Sequence, residues 1–239
     1  MSLILDFNEK EKEIFKNNIE KHQSLKPGGE GTCYVINDDT YKIYKEERDI
    51  ENPICKDDLN LKSFLFPEEI YRCNNKIFSY KTPYIKNNEF KIPSFCNWKI
   101  PNIDKIKKAL IPLIKDIYIL SKNNIYAINL TWRNTLFNGE NIYIIDTLDY
   151  EIVDEDQLED NLKSLKNIIT CLIANVNLAH EAYHVEISEN DLKEYQNLHI
   201  YTKEILKQVQ EEYKDKEVQK IKRSKWSLFF IKILRVVLT

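Results

Sequence analysis

Residues 26–44 read KPGGEGTCYVINDDTYKIY. Two alternating β-rich runs, Thr32–Ile36 and Thr40–Tyr44, flank Asn37-Asp38-Asp39, the pattern of a hairpin. Directly before it stand Gly28, Gly29 and Gly31, three of only four glycines in a chain of 239 residues. Such economy points to a backbone requirement. Either the cluster is a tight turn entering the hairpin, or its bare N–H groups approach phosphate oxygens. Lys42, on the return strand, would add a point charge to such a phosphate subsite. No Gly-Lys-Ser/Thr follows, and the next element is a strand. The cluster is therefore neither a Walker loop nor a dinucleotide fingerprint, both of which open a helix.

Outward from this stretch, residues 7–23 are charged, with Phe7, Ile14 and Phe15 at helical spacing, and predict a short leading helix. A second strand pair is expected at Glu69–Arg72 and Lys76–Tyr84, turning at Asn74-Asn75. Past the prolines of 93–101 the texture changes. Ile106, Leu110, Leu113, Ile114, Ile117 and Leu120 give residues 103–121 helical periodicity. Asn134–Phe137 and Asn141–Ile145, joined by Asn138-Gly139-Glu140, form another hairpin signal. Residues 156–176, 188–215 and 216–237 lack Gly and Pro and read as helices. The expected order is a helical lead-in over 1–20, a small β-rich lobe over 21–86, a helical lobe with one hairpin over 87–220, and a basic amphipathic helix over 221–239.

Composition narrows the class. The chain is 43% apolar and 31% charged, ordinary for a globular protein, and its net charge of −3 gives no global pull toward nucleic acid. Cys33, Cys55, Cys73, Cys96 and Cys171 are odd in number and form no C-x-x-C pair. They argue against a disulfide framework or zinc site and predict a cytoplasmic protein. No signal core and no stretch of 18 apolar residues occurs, so a spanning helix is not expected.

The second informative stretch is residues 124–150, NIYAINLTWRNTLFNGENIYIIDTLDY. It resembles the catalytic loop and metal-binding hairpin of the protein-kinase-like superfamily. In that family a His-Arg-Asp triplet is followed by Leu, three variable residues and Asn. Asn129-Leu130-Thr131-Trp132-Arg133-Asn134 has this spacing. The resemblance places Asn134 on the metal-binding Asn and Asp146 on the Asp of the Asp-Phe-Gly motif, and Tyr41-Lys42-Ile43 resembles the family's lysine strand. Lys45 is a rival on the same strand, but odd spacing sends the two lysines to opposite faces. The resemblance covers about residues 20–180. It implies an α+β, two-lobed protein-kinase-like fold, with a small antiparallel β-lobe and a larger, mainly helical lobe. ATP and Mg²⁺ are the implied cofactors. Gly28, Gly29, Gly31 and Lys42 would hold the nucleotide, Asn134 and Asp146 the metal, and Lys81–Lys86 the hinge.

The departures are as informative. The triplet reads Ala127-Ile128-Asn129, so Asn129 replaces the catalytic base, and an amide cannot take a proton from an attacking hydroxyl. Asp146-Thr147-Leu148 keeps only the Asp, no Ala-Pro-Glu follows, and roughly ten residues remain for an activation segment. Asp149 either replaces a lost function or caps the following segment. Lys42 needs a carboxylate from a helix expected over 46–62, although Pro53 interrupts it, with Glu47, Glu51, Asp57 and Asp58 as candidates. These features predict a pseudokinase or weak kinase that binds nucleotide and acts through a protein partner. An active phosphotransferase on a small molecule is the alternative.

Two further features stand apart. His180-Glu181-Ala182-Tyr183-His184 spells H-E-x-x-H, in which both histidines would bind zinc and Glu181 would activate water; the competing expectation is a helix end. Residues 220–239 are basic, and Trp226, Phe229, Phe230, Ile233 and Val237 share one helical face. Packing on the large lobe is favoured over contact with an anionic membrane surface.

Overall fold

A computed structural model of the chain describes residues 3–25, 27–86, 99–214 and 216. The expected helix over 221–239 lies outside them, as do Lys26 and residues 87–98. The fold is α+β: a mixed six-stranded sheet and, among the described residues, five helices. None of these helices is long and apolar enough to cross a membrane.

The sheet forms first in sequence. β2 (Gln23–Ser24), β3 (Gly31–Ile36) and β4 (Asp39–Arg48) are antiparallel neighbours, with Lys42 across from Cys33 on one side and Tyr80 on the other. β5 (Glu69–Cys73) and β6 (Lys76–Pro83) complete the expected second pair. The turns fall where asparagine is available: Asn37 has φ 57°, and Asn74 and Asn75 have φ 51° and 64°. Asparagine enters this left-handed region more readily than most residues.

Two expectations about the sheet are corrected. The lead-in over 1–20 is not wholly helical: β1 (Leu3–Phe7) precedes α1 (Glu9–Ile19) and pairs in parallel with β5. The sheet is therefore mixed, not purely antiparallel. Leu5 and Phe7 earn β1 its place, since both pack with Phe15, Tyr41, Tyr71 and Phe78 in an aromatic cluster under α1. The helix starts sharply because Asn8 and Glu11 form a reciprocal capping box. The helix expected over 46–62 is also absent. β4 runs on to Arg48, and the following segment turns tightly at residues 56–58, where the Asp58 carboxylate accepts from the Cys55 N–H at 2.7 Å.

The helical part is built on α2 (Ile103–Lys122), whose predicted apolar face is buried throughout. It packs against α3 (Leu158–Tyr183) and α5 (Leu198–Tyr213), with α4 (Glu189–Gln196) between them. The continuous helix expected over 188–215 breaks at Asn197, and α3 runs seven residues past the expected end at 176. Between α2 and α3 lie two small two-stranded sheets. β7 (Ile125–Tyr126) pairs with β10 (Glu151–Ile152), and β8 (Thr135–Phe137) pairs with β9 (Ile142–Ile144).

Two buried polar side chains fix these pieces. Asp116 of α2 accepts from the backbone N–H groups of Lys62 and Ser63, at 2.8 and 2.7 Å. Residues 63–65 in turn bond to both sides of Ile144, next to the end of β9. Asn161 of α3 accepts from Ala127 N–H at 3.0 Å and donates to Ile125 C=O at 2.8 Å and Ser121 Oγ at 3.0 Å. The loop carrying Asn129 is thereby pinned to the helical core.

Candidate functional site

The glycine cluster lies between antiparallel β2 and β3, and its members answer to different constraints. A Cβ on Gly31 would lie 2.3 Å from the carbonyl oxygen of Ile43, so no side chain fits there. A Cβ on Gly29 would meet nothing within 4 Å, and neither Gly28 nor Gly29 has a positive φ. Packing therefore requires a glycine at 31, and does not by itself require one at 29. The bare backbone at Gly29 faces open space, which leaves room for a ligand. Lys45, on the face opposite Lys42, donates to the carbonyls of Gly28 and Gly29 at 3.0 and 3.1 Å and holds the loop down.

Lys42 is nearly buried, and its ammonium contacts the Asp146 carboxylate, 104 positions away in sequence. The same ammonium bonds Glu30 Oε2 at 3.1 Å and lies 4.9 Å above the Tyr44 ring. The Tyr80 hydroxyl donates to the same Asp146 oxygen at 3.2 Å. Burial, and then the Asp146 charge, push the Tyr80 hydroxyl well above its ordinary value, so it stays a donor. None of the four carboxylates expected from 46–62 is the partner of Lys42. Glu47 pairs with Lys12 at 2.8 Å, and Asp58 caps its own turn. Glu30, inside the glycine loop, takes the place instead. Its place between Gly29 and Gly31 carries no periodic signal for this role. Burial raises the Glu30 carboxyl, but Lys42 and Arg48 outweigh that and hold it below the usual glutamate value.

Asn134 and Asp146 flank the open end of the β8–β9 hairpin. The carbonyl of Asn134 accepts from the Ile145 N–H at 2.9 Å, directly beside Asp146. The Asn134 amide donates to the Asn129 carbonyl at 3.0 Å. Asn129 has φ 62° and Asp146 φ 61°. Both take the left-handed conformation that Asn and Asp tolerate better than most residues. Asp149 does not cap the next segment: its carboxylate sits 3.7 Å from Arg48, and burial raises it above the usual aspartate value, partly offset by Arg48. Glu30, Arg48, Asn129, Asp149 and Tyr150 line a cleft of about 1160 Å³.

A nucleotide with Mg²⁺ fits this donor set. Lys42 offers a cation to phosphate oxygens. Asp146 and Asn134 offer the hard oxygen ligands that Mg²⁺ prefers, few in number because phosphates and water complete its shell. The hydroxyls of Tyr44 and Tyr150, both buried, have no hydrogen-bond partner among the described residues. Both feel the charge of Asp146, and burial followed by that charge raises them above the ordinary tyrosine value. Just past β6, Tyr84 N–H bonds the Asp38 carbonyl at 2.8 Å.

The H-E-x-x-H string behaves differently. His180 is in the last turn of α3, while His184 follows it with φ 53°. That φ swings the Cβ of His184 off the helical direction, so the two histidines do not share one helical face. Both line a cleft of about 810 Å³, but Glu181 does not. Among the described residues, no group of three or more His, Cys, Asp or Glu side chains is placed to hold a metal.

No protein-family model matches the chain, and no curated protein matches it. The functional reading rests on the geometry.

Proposed function

We propose that the chain is a two-lobed, protein-kinase-like domain that binds ATP with Mg²⁺ at the junction of its sheet and its helical part, as a pseudokinase or weak kinase. The observation that carries the reading is the contact of Lys42, buried beneath the glycine loop, with Asp146 at the end of the β8–β9 hairpin. Three features support it: a glycine loop between antiparallel strands, a cross-strand lysine, and an Asn–Asp pair on one hairpin.

In this reading Lys42 holds phosphate oxygens, and Asp146 and Asn134 hold the metal. Tyr80 steadies Asp146 through its hydroxyl. Bound MgATP supplies a transferable phosphoryl group. Asn129 orients a hydroxyl at the cleft but takes no proton, a loss typically worth about 10²–10⁴ in rate. Only residues 147–157 separate Asp146 from α3, and part of them is β10, so this segment forms no extended platform for a protein substrate. That observation favours a small molecule as the acceptor in the second reading, an active phosphotransferase.

Calorimetric titration with MgATP tests the proposal. Wild type is expected to bind saturably, and Lys42→Met to bind at least about 30-fold more weakly, because one partner of a desolvated charge pair is lost. Equal affinity of the two proteins would sink the site assignment. Labelled γ-phosphate transfer then separates weak kinase from pseudokinase.

A further inference from the structure

We infer that Glu30 occupies the phosphate subsite from within the glycine loop and competes with any anionic ligand for Lys42. The inference rests on the nucleotide reading above but concerns a residue that reading does not use.

Glu30 divides its carboxylate between two cations. Oε2 bonds Lys42 at 3.1 Å, and Oε1 meets Arg48 at 2.8 Å. Both cations lie against one ring: Lys42 is 4.9 Å and Arg48 5.3 Å from the Tyr44 centroid. Tyr44 is nearly buried, so the pair has a fixed floor. The backbone just before Glu30 is held as well, because Lys45 ties the carbonyls of Gly28 and Gly29 to β4. A carboxylate that bridges two cations in this way takes up the donors that a phosphate group would otherwise recruit. Lys42 is almost sealed from solvent and already carries two carboxylates. A phosphate oxygen reaching it must displace one of them. Asp146 has a second task in the metal, whereas Glu30 has none in the bound state and lies beside the phosphates as a like charge.

An orienting role for Glu30, replacing the missing helix carboxylate, makes the opposite prediction. Removal of an orienting carboxylate weakens ligand binding. Removal of a competing one tightens it, because the competent state is no longer a minor population.

The test uses the full chain, Glu30→Gln and Glu30→Ala, titrated calorimetrically with MgATP and separately with magnesium tripolyphosphate. Thermal unfolding midpoints check that the variants fold. Both variants are expected to bind both ligands about tenfold more tightly than wild type. Unchanged or weaker affinity in folded variants overturns the inference. Tighter tripolyphosphate binding with no ATP binding by any of the three proteins would uphold the competition at Lys42 and remove the adenine nucleotide as ligand. No binding of either ligand by any of them would overturn both readings.

Discussion

Gly29 and Gly31 belong to one loop but separate the demands of folding from those of binding. Gly31→Ala drives a methyl group into the Ile43 carbonyl, so β3 and β4 must part. A loss of about 1–3 kcal/mol in denaturant unfolding is expected from such overpacking. Gly29→Ala meets no neighbour and should leave stability within about 0.5 kcal/mol of wild type, while weakening MgATP in the same calorimetric titration. Glu30 adds a pH dependence. Its carboxyl is held low, so its contribution is complete above the unfolded glutamate value and disappears as pH falls through the lower folded value. The side chain is 41% exposed, and screening limits the effect to below about 1 kcal/mol. Unfolding midpoints of wild type and Glu30→Gln should differ slightly at neutral pH and converge in acid. The glycine cluster, Lys42, Asn134 and Asp146 were legible because spacing and strand parity constrain them. Glu30 was not, since a carboxylate between glycines carries no period, and its partner Arg48 is far from it along the chain.

At the scale of elements, the loop carrying Asn129 is held less by its own sequence than by one amide on α3. Asn161 satisfies Ala127 N–H, Ile125 C=O and Ser121 Oγ from a fully buried position. Asn161→Ala leaves these groups without partners away from water. A loss of about 2–4 kcal/mol is expected, read in urea unfolding. MgATP affinity should fall as well, because Asn134 is anchored to the same loop through the Asn129 carbonyl. Helix α2 and the asparagine turns could be read directly, from apolar periodicity and from residues that accept positive φ. The helix expected over 46–62 failed for a physical reason. Pro53 lies in the stretch, the strand before it continues to Arg48, and Ile50 and Cys55 cover the sheet's inner face from an irregular segment. Strand β1 escaped notice because five residues show too little alternation to reveal a parallel edge.

Across the whole molecule, the site exists only where the two parts meet. Lys42 comes from the sheet and Asp146 from the hairpin joined to the helical core, and residues 63–65 stitch the two together beside Ile144. A ligand that grips both sides stabilises the folded state. About 2.7 kcal/mol is expected at a hundredfold excess over Kd, visible as a raised unfolding midpoint. The net charge of −3 opposes polyanion binding at long range, so attraction must come from the local cations Lys42 and Arg48. Affinity should therefore depend on the metal, which screens the phosphates before they enter. The most direct measurement is equilibrium binding of a fluorescent ATP analogue to wild type and Asp146→Asn, each with and without Mg²⁺. Asparagine keeps the shape and tolerates the left-handed backbone at 146, so the substitution removes the charge that faces Lys42 while preserving the local backbone. The account predicts saturable binding by wild type that is strengthened by Mg²⁺, and no Mg²⁺ effect in Asp146→Asn. Absence of binding by wild type, or the same Mg²⁺ dependence in both proteins, would contradict it.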